Sequence, residues 1–212
     1  MKRVIPLLII LLTSCSPLKK YPLKSDKWEE DIKVLESLDR QETCGNDCIL
    51  FLGSSSIRLW NEIKSDMSPF NVVARGYGGA HFYDIIHYTK RLVKNHNPKA
   101  IVVFVANDIT GSNNNSWYGD LRPREVLKLF KFFTKQVYSA HADIPIFVIE
   151  TTPTISRWKV WNKISAANDL IKNYTEKEDN LSYITTRFDF LDNEGNPVEK
   201  YFIRDKLHLN KS

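Results

Sequence analysis

Five short apolar runs alternate with stretches of helical periodicity, and this alternation restricts the fold more than any other feature of the chain. The runs cover 48–52, 71–74, 100–105, 144–149 and 181–185. Four are dense in Val, Ile and Phe, as parallel strands buried on both faces require. Between them, 57–64, 81–95, 123–141 and 159–174 read as helices; in the second, Phe82, Ile85, Ile86, Leu92 and Val93 recur at helical spacing. Strands alternating with helices form right-handed crossovers, so the expected fold is an α/β three-layer sandwich around a mainly parallel five-stranded sheet. Ligands of such sheets bind beyond the carboxyl ends of the strands. Ser55 follows the first run, Gly79 the second and Asn107 the third. Three distant residues are thereby expected on one rim.

The N-terminus reads as a targeting segment rather than as fold. Lys2 and Arg3 precede an apolar stretch, 4–12, that is too short to span a bilayer. Leu12-Thr13-Ser14-Cys15 resembles a bacterial lipobox, which implies a lipoprotein signal peptide over 1–14 and lipidation of Cys15. The competing reading is an ordinary secretory signal with Cys15 incidental. Residues 15–30, with Pro17, Pro22 and several lysines, are expected to be a tether, and 31–212 the globular domain. A lipid anchor places the protein in the bacterial cell envelope, on a membrane.

Export to an oxidising compartment favours a disulfide between Cys44 and Cys48. Zinc is the alternative, but no second Cys or His pair sits at ligand spacing, so no metal is expected. Loss of Lys2 and Arg3 with the leader lowers the formal net charge from +5 to +3. So small a charge, spread along the chain, argues against a nucleic-acid partner.

The candidate chemistry begins where the first run breaks, at Gly53-Ser54-Ser55-Ser56-Ile57-Arg58-Leu59-Trp60. A strand-to-helix turn carrying serine can expose a nucleophile beside converging backbone N–H groups, although serines before a helix also serve as plain caps. Downstream come Arg75-Gly76-Tyr77-Gly78-Gly79, Val105-Ala106-Asn107-Asp108 and Asp205-Lys206-Leu207-His208. These four blocks, in this order over 47–210, resemble the SGNH (GDSL-type) serine hydrolases, in the subgroup whose first block reads Gly-Ser-Ser.

The resemblance implies a flavodoxin-like strand order and an esterase without metal or cofactor. It makes Ser55, two residues after Gly53, the nucleophile, and leaves Ser56 as the helix cap. His208 is the implied general base and Asp205, three residues earlier, its orienting carboxylate. The oxyanion donors it implies are the backbone N–H groups of Ser55 and of Gly79, which opens the second block's helix, and the side-chain amide of Asn107. Arg157, Trp158 and Trp161 also fall in a stretch that resembles the subgroup.

Two departures stand out. Val105 occupies a position where the family has glycine, and is expected to narrow the pocket beside Asn107. The chain also stops four residues after His208, where relatives continue into a closing helix. Leu207 and Leu209 are then expected to lack a cover and the catalytic loop to be weakly anchored. The polar segment 110–122, with Trp117 and Tyr118, is expected to form a wall of the site. That wall favours a carbohydrate O-acetyl ester over a lysophospholipid as substrate. The rival reading is a catalytically impaired, glycan-binding envelope lipoprotein on the same fold.

Overall fold

The computed structural model describes residues 16–112 and 117–211. Cys15 and the leader lie outside the described residues, as does the asparagine run 113–115. The sheet comprises β1 Cys48–Gly53, β2 Asn71–Gly76, β3 Ala100–Phe104, β4 Ile146–Ile149 and β5 Leu181–Ile184. All four pairings are parallel, in the order β2-β1-β3-β4-β5, which is the flavodoxin-like arrangement. Strand ends agree with the apolar runs to within two residues.

Among the described residues seven α-helices accompany the strands: α1 Pro17–Lys20, α2 Glu29–Leu38, α3 Ser55–Arg58, α4 Ile63–Asp66, α5 Phe82–Val93, α6 Pro123–Ala140 and α7 Trp161–Thr175. Side chains alternate along each strand, so one sheet faces two cores. Leu50, Leu52, Val103 and Val105 pack with Ile85, Leu129, Phe133 and Ile164 of the long helices. Phe51, Val102 and Phe104 pack instead with Ile57 and Ile63. The layers are therefore unequal, since only two single-turn helices, α3 and α4, contribute to the second.

The single helix expected over 57–64 is in fact this interrupted pair. Ile57 and Ile63 both reach the sheet, yet six residues of continuous α-helix would set them about 120° apart around the axis. Breaking the helix between them lets both face inward.

The tether expected over 15–30 is corrected more substantially. Tyr21 and Trp28 are buried, and the segment lies against α5 and α6. Lys20 and the Tyr21 hydroxyl both donate to Glu125, at 2.6 and 3.1 Å. Glu29, Glu30 and Asp31 in the first turn of α2 complement its dipole. Arg91 then ties α2 to α5 through Glu29 and Glu36, at 2.8 and 2.7 Å. The fold thus extends N-terminally to include residues 16–30.

Candidate active site

Gly53 fixes the turn that presents the first-block serines. Its φ is +155°, and a Cβ there would lie 2.1 Å from the Phe104 carbonyl oxygen. No side chain fits between β1 and β3 at that point. The Ser54 N–H donates to the same carbonyl at 2.9 Å. Ser54, not the expected Ser56, occupies the cap position of α3, and Ser55 is its first residue. The N–H groups of a helix's first turn have no acceptor within the helix, which leaves them for a ligand or solvent.

Ser55, His208 and Asp205 meet although 153 residues separate the first two. Ser55 Oγ lies 2.7 Å from His208 Nε2, and His208 Nδ1 lies 2.6 Å from Asp205 Oδ2. The Leu207 and His208 amides also donate to Asp205 Oδ1, each at 2.9 Å. Burial pushes the Asp205 carboxyl up, but these bonds outweigh it and hold the group below its ordinary range. The loop is better anchored than expected. Phe202 and Leu209 form an antiparallel bridge, the Ile203 N–H donates to the His208 carbonyl at 2.9 Å, and Ser156 N–H donates to the Lys206 carbonyl at 3.1 Å.

The other expected donors lie on adjoining loops. Gly79 has φ +72°, a left-handed conformation with open space where a Cβ would be. It precedes α5 by three residues rather than opening it. The loop is tied to the first block by Tyr77 N–H donating to the Gly53 carbonyl at 3.1 Å, and is backed by the Trp28 indole donating to the Gly78 carbonyl at 2.8 Å. Asn107 Nδ2 donates to the Ala80 carbonyl at 2.8 Å, linking the third block to the second. Asp108, beside it, accepts the Phe82 N–H at the start of α5. Burial pushes the Asp108 carboxyl up to about 7.

A residue without an expected role, Arg157, holds the far side of Asn107. Its guanidinium donates to Asn107 Oδ1 and to the Ala106 carbonyl, both at 2.6 Å. Burial depresses its pKa to about 10. The only signal in the sequence was the Arg157-Trp158 pair itself, which names no partner.

Ser55, Asn107, Arg157 and His208 open onto a cavity of about 750 Å3. Leu59, Trp60, Phe104, Phe190 and Leu209 line it, together with Asn61, Thr152 and Thr154. Leu59, Ile203 and Leu209 are 43%, 44% and 48% exposed, so apolar side chains stand open to solvent on the rim beside the exposed Asn61, Glu62 and Lys211. Val105 does not narrow this cavity. It faces the opposite core with Phe82, Val126 and Ile164, because residue 105 shares the parity of 101 and 103 on the strand line. The expected wall is also absent, since no described residue of 110–122 lines the cavity. Trp117 packs on Trp28, with ring centroids 4.9 Å apart, and Tyr118 on Tyr21 at 5.1 Å. Trp158 and Trp161 stack on each other at 6.0 Å. Cys44 and Cys48 are joined by a disulfide, with Cα atoms 5.2 Å apart, well away from these residues at the start of β1.

No family model and no curated protein matches the chain. Solved structures do. A Streptococcus pneumonia protein provisionally named a platelet activating factor superposes with a TM-score of 0.73 at 17% identity, over 87% of this chain and 86% of its own. A Bacteroides fragilis protein provisionally named an acylhydrolase gives 0.71 at 17%, over 84% and 88%. A GDSL-like lipase from Bacteroides thetaiotaomicron gives 0.69 at 15%, over 85% and 89%. The chain has the α/β fold of these proteins.

Proposed function

We propose that the chain is a serine ester hydrolase acting through an acyl-enzyme on Ser55. The observation that carries this reading is the continuous Ser55–His208–Asp205 hydrogen-bond chain opening onto a cavity beside Asn107. His208 Nε2 takes the Ser55 proton as Oγ bonds to the ester carbonyl carbon, and the carbonyl π electrons move onto oxygen. The resulting oxyanion is met by the N–H groups of Ser55 and Gly79 and by Asn107 Nδ2. Collapse expels the alcohol, which receives its proton from His208. Water then repeats the sequence on the acyl-enzyme, releasing the acid and restoring Ser55.

The lining suits an ester with one apolar limb and one hydroxyl-rich limb. The case for a carbohydrate O-acetyl ester rested on an aromatic wall whose members pack elsewhere, so this reading moves toward esters of longer acyl groups, lysophospholipids included. Glycan binding without turnover loses its main argument now that Val105 faces away from the cavity. Lipidation at Cys15 and an envelope location extend the proposal on the strength of the lipobox resemblance.

Intact-mass and peptide mapping after fluorophosphonate treatment test the nucleophile. Ser55 is expected to carry the label, and Ser55→Ala to abolish hydrolysis of nitrophenyl esters, while Ser54→Ala and Ser56→Ala keep most of it. Butyrate and octanoate esters should be preferred to acetate. Labelling at Ser54 or Ser56 refutes the assignment, and a folded wild-type chain with neither label nor turnover favours glycan binding.

A further inference from the structure

We infer that Arg157 is the positioning residue of the oxyanion site, fixing the orientation of the Asn107 amide; its catalytic consequence rests on the esterase reading. A primary amide can flip by half a turn, exchanging its oxygen and nitrogen at almost no cost in shape. Asn107 is pinned against that flip from both ends. The Ala80 carbonyl accepts from Nδ2, and Arg157 Nη2 donates to Oδ1. A flipped amide would set oxygen against the Ala80 carbonyl and N–H groups against the guanidinium, losing both bonds and creating two repulsive contacts. In the pinned orientation one Nδ2 proton is used by Ala80. The second is left for a ligand in the cavity that Asn107 lines with Ser55 and His208.

The cost of placing Arg157 there shows what it is not. Arg157 is 8% exposed, and among the described residues it forms no ion pair with a carboxylate. Asp120 and Asp108 act on it only through space. A buried cation held by two neutral carbonyl oxygens is an expensive way to fasten a loop, and an apolar side chain would do so more cheaply. Its charge does have a use at this position. Drawing electron density toward Oδ1 makes the Nδ2 protons better donors.

The backbone around Arg157 gives it a firm base. It lies in a 3-10 turn, Ile155–Val160, whose Ser156 N–H is bonded to the loop carrying His208. Gly111, just beyond the third block, packs so closely on this turn that a Cβ would come within 2.6 Å of Lys159 Cε. The turn therefore contacts the acid–base loop and the oxyanion loop together.

The test compares Arg157→Met, Arg157→Lys, Asn107→Ala and Asn107→Ala/Arg157→Met in the full chain, by steady-state kinetics on nitrophenyl butyrate and by the Asn107 side-chain NH2 signals in 1H–15N spectra. Arg157→Met is expected to lower kcat by roughly a hundredfold, as removal of one oxyanion donor does, with KM within about threefold. The double variant should be no slower than Asn107→Ala, because both changes remove the same donor. Arg157→Lys keeps a buried cation without the fork, and is expected to recover part of the rate. In Arg157→Met the Asn107 NH2 pair should move toward the positions of an unrestrained amide. Unmoved signals, or a double variant slower than Asn107→Ala by the full Arg157→Met factor, overturn the inference. Should Arg157→Met not fold, the same NH2 shift and kcat loss, smaller in size, are read from Arg157→Lys, and their absence there overturns it equally. A wild-type chain without turnover whose NH2 pair still moves in the variant sustains the positioning role and removes the esterase reading instead.

Discussion

Replacing Trp28 by alanine separates a folded N-terminal segment from a tether. The side chain is 1% exposed and packs against Tyr77, His81 and Trp117, with ring centroids at 6.1, 6.1 and 4.9 Å. Truncating a buried tryptophan costs about 3–5 kcal/mol through lost transfer energy and the cavity left behind. The indole bond to the Gly78 carbonyl, at 2.8 Å, accounts for about 1 kcal/mol of that total. For a domain of this size each kcal/mol lowers the melting temperature by about 2–4 °C, so Trp28→Ala should melt roughly 6–20 °C below wild type. Trp28→Phe keeps most of the packing and loses the hydrogen bond, and should fall by only about 1–2 kcal/mol. Val34→Ala, at an exposed position on α2, provides the control and should stay within about 0.5 kcal/mol. Differential scanning calorimetry of the full chain gives all four values. A Trp28→Ala transition within about 1 °C of wild type would falsify the packing of 16–28 and restore the tether.

Two further perturbations address residues near the site. Val105→Gly should cost about 2–4 kcal/mol, from a lost buried side chain and added backbone freedom, and leave the butyrate-to-acetate rate ratio unchanged; a shifted ratio would show that Val105 shapes the cavity after all. Asp108 holds its proton more tightly folded, with its pKa at about 7, than unfolded, where an aspartate titrates near 3.9. The folded state then binds more protons than the unfolded state between those values, so this group's stabilisation is full below about pH 4 and is lost as pH rises to about 7, by up to roughly 4 kcal/mol. Asp108→Asn should flatten that slope, and equal pH dependence of the urea midpoints in wild type and variant would count against it.

The sheet was legible because burial on both faces leaves little room for polar residues, so 48–52 and 100–105 announce themselves as apolar runs. Strand parity was legible too: it sets 101, 103 and 105 on one face and 102 and 104 on the other, which directs Val105 away from the face that carries Ile57. Other features leave no periodic trace. Tyr21 and Trp28 each bury one ring amid lysines and prolines, a composition that reads as solvated linker. α2 buries only Ile32 and Leu35. Within the site, the order Ser55, Gly79, Asn107, Asp205, His208 could be read because each falls at a strand end or in the last loop. Arg157 could not. A buried cation looks like a surface arginine until the carbonyl oxygens that receive it are located in space.

The loop bearing Asp205 and His208 has a fate separable from that of the sheet. Ser55 rides on the central strands, whereas His208 hangs from one isolated bridge, Phe202 to Leu209, and a few backbone bonds, with Ile203 and Leu209 open to solvent. Such a segment opens at a fraction of the free energy needed to unfold the core. Heating or mild denaturant should therefore detach the imidazole while β1 and β3 still hold the serine in place. Proton exchange and proteolytic nicking would begin at residues 203–211, and chemical competence would fade before the cooperative transition that calorimetry records.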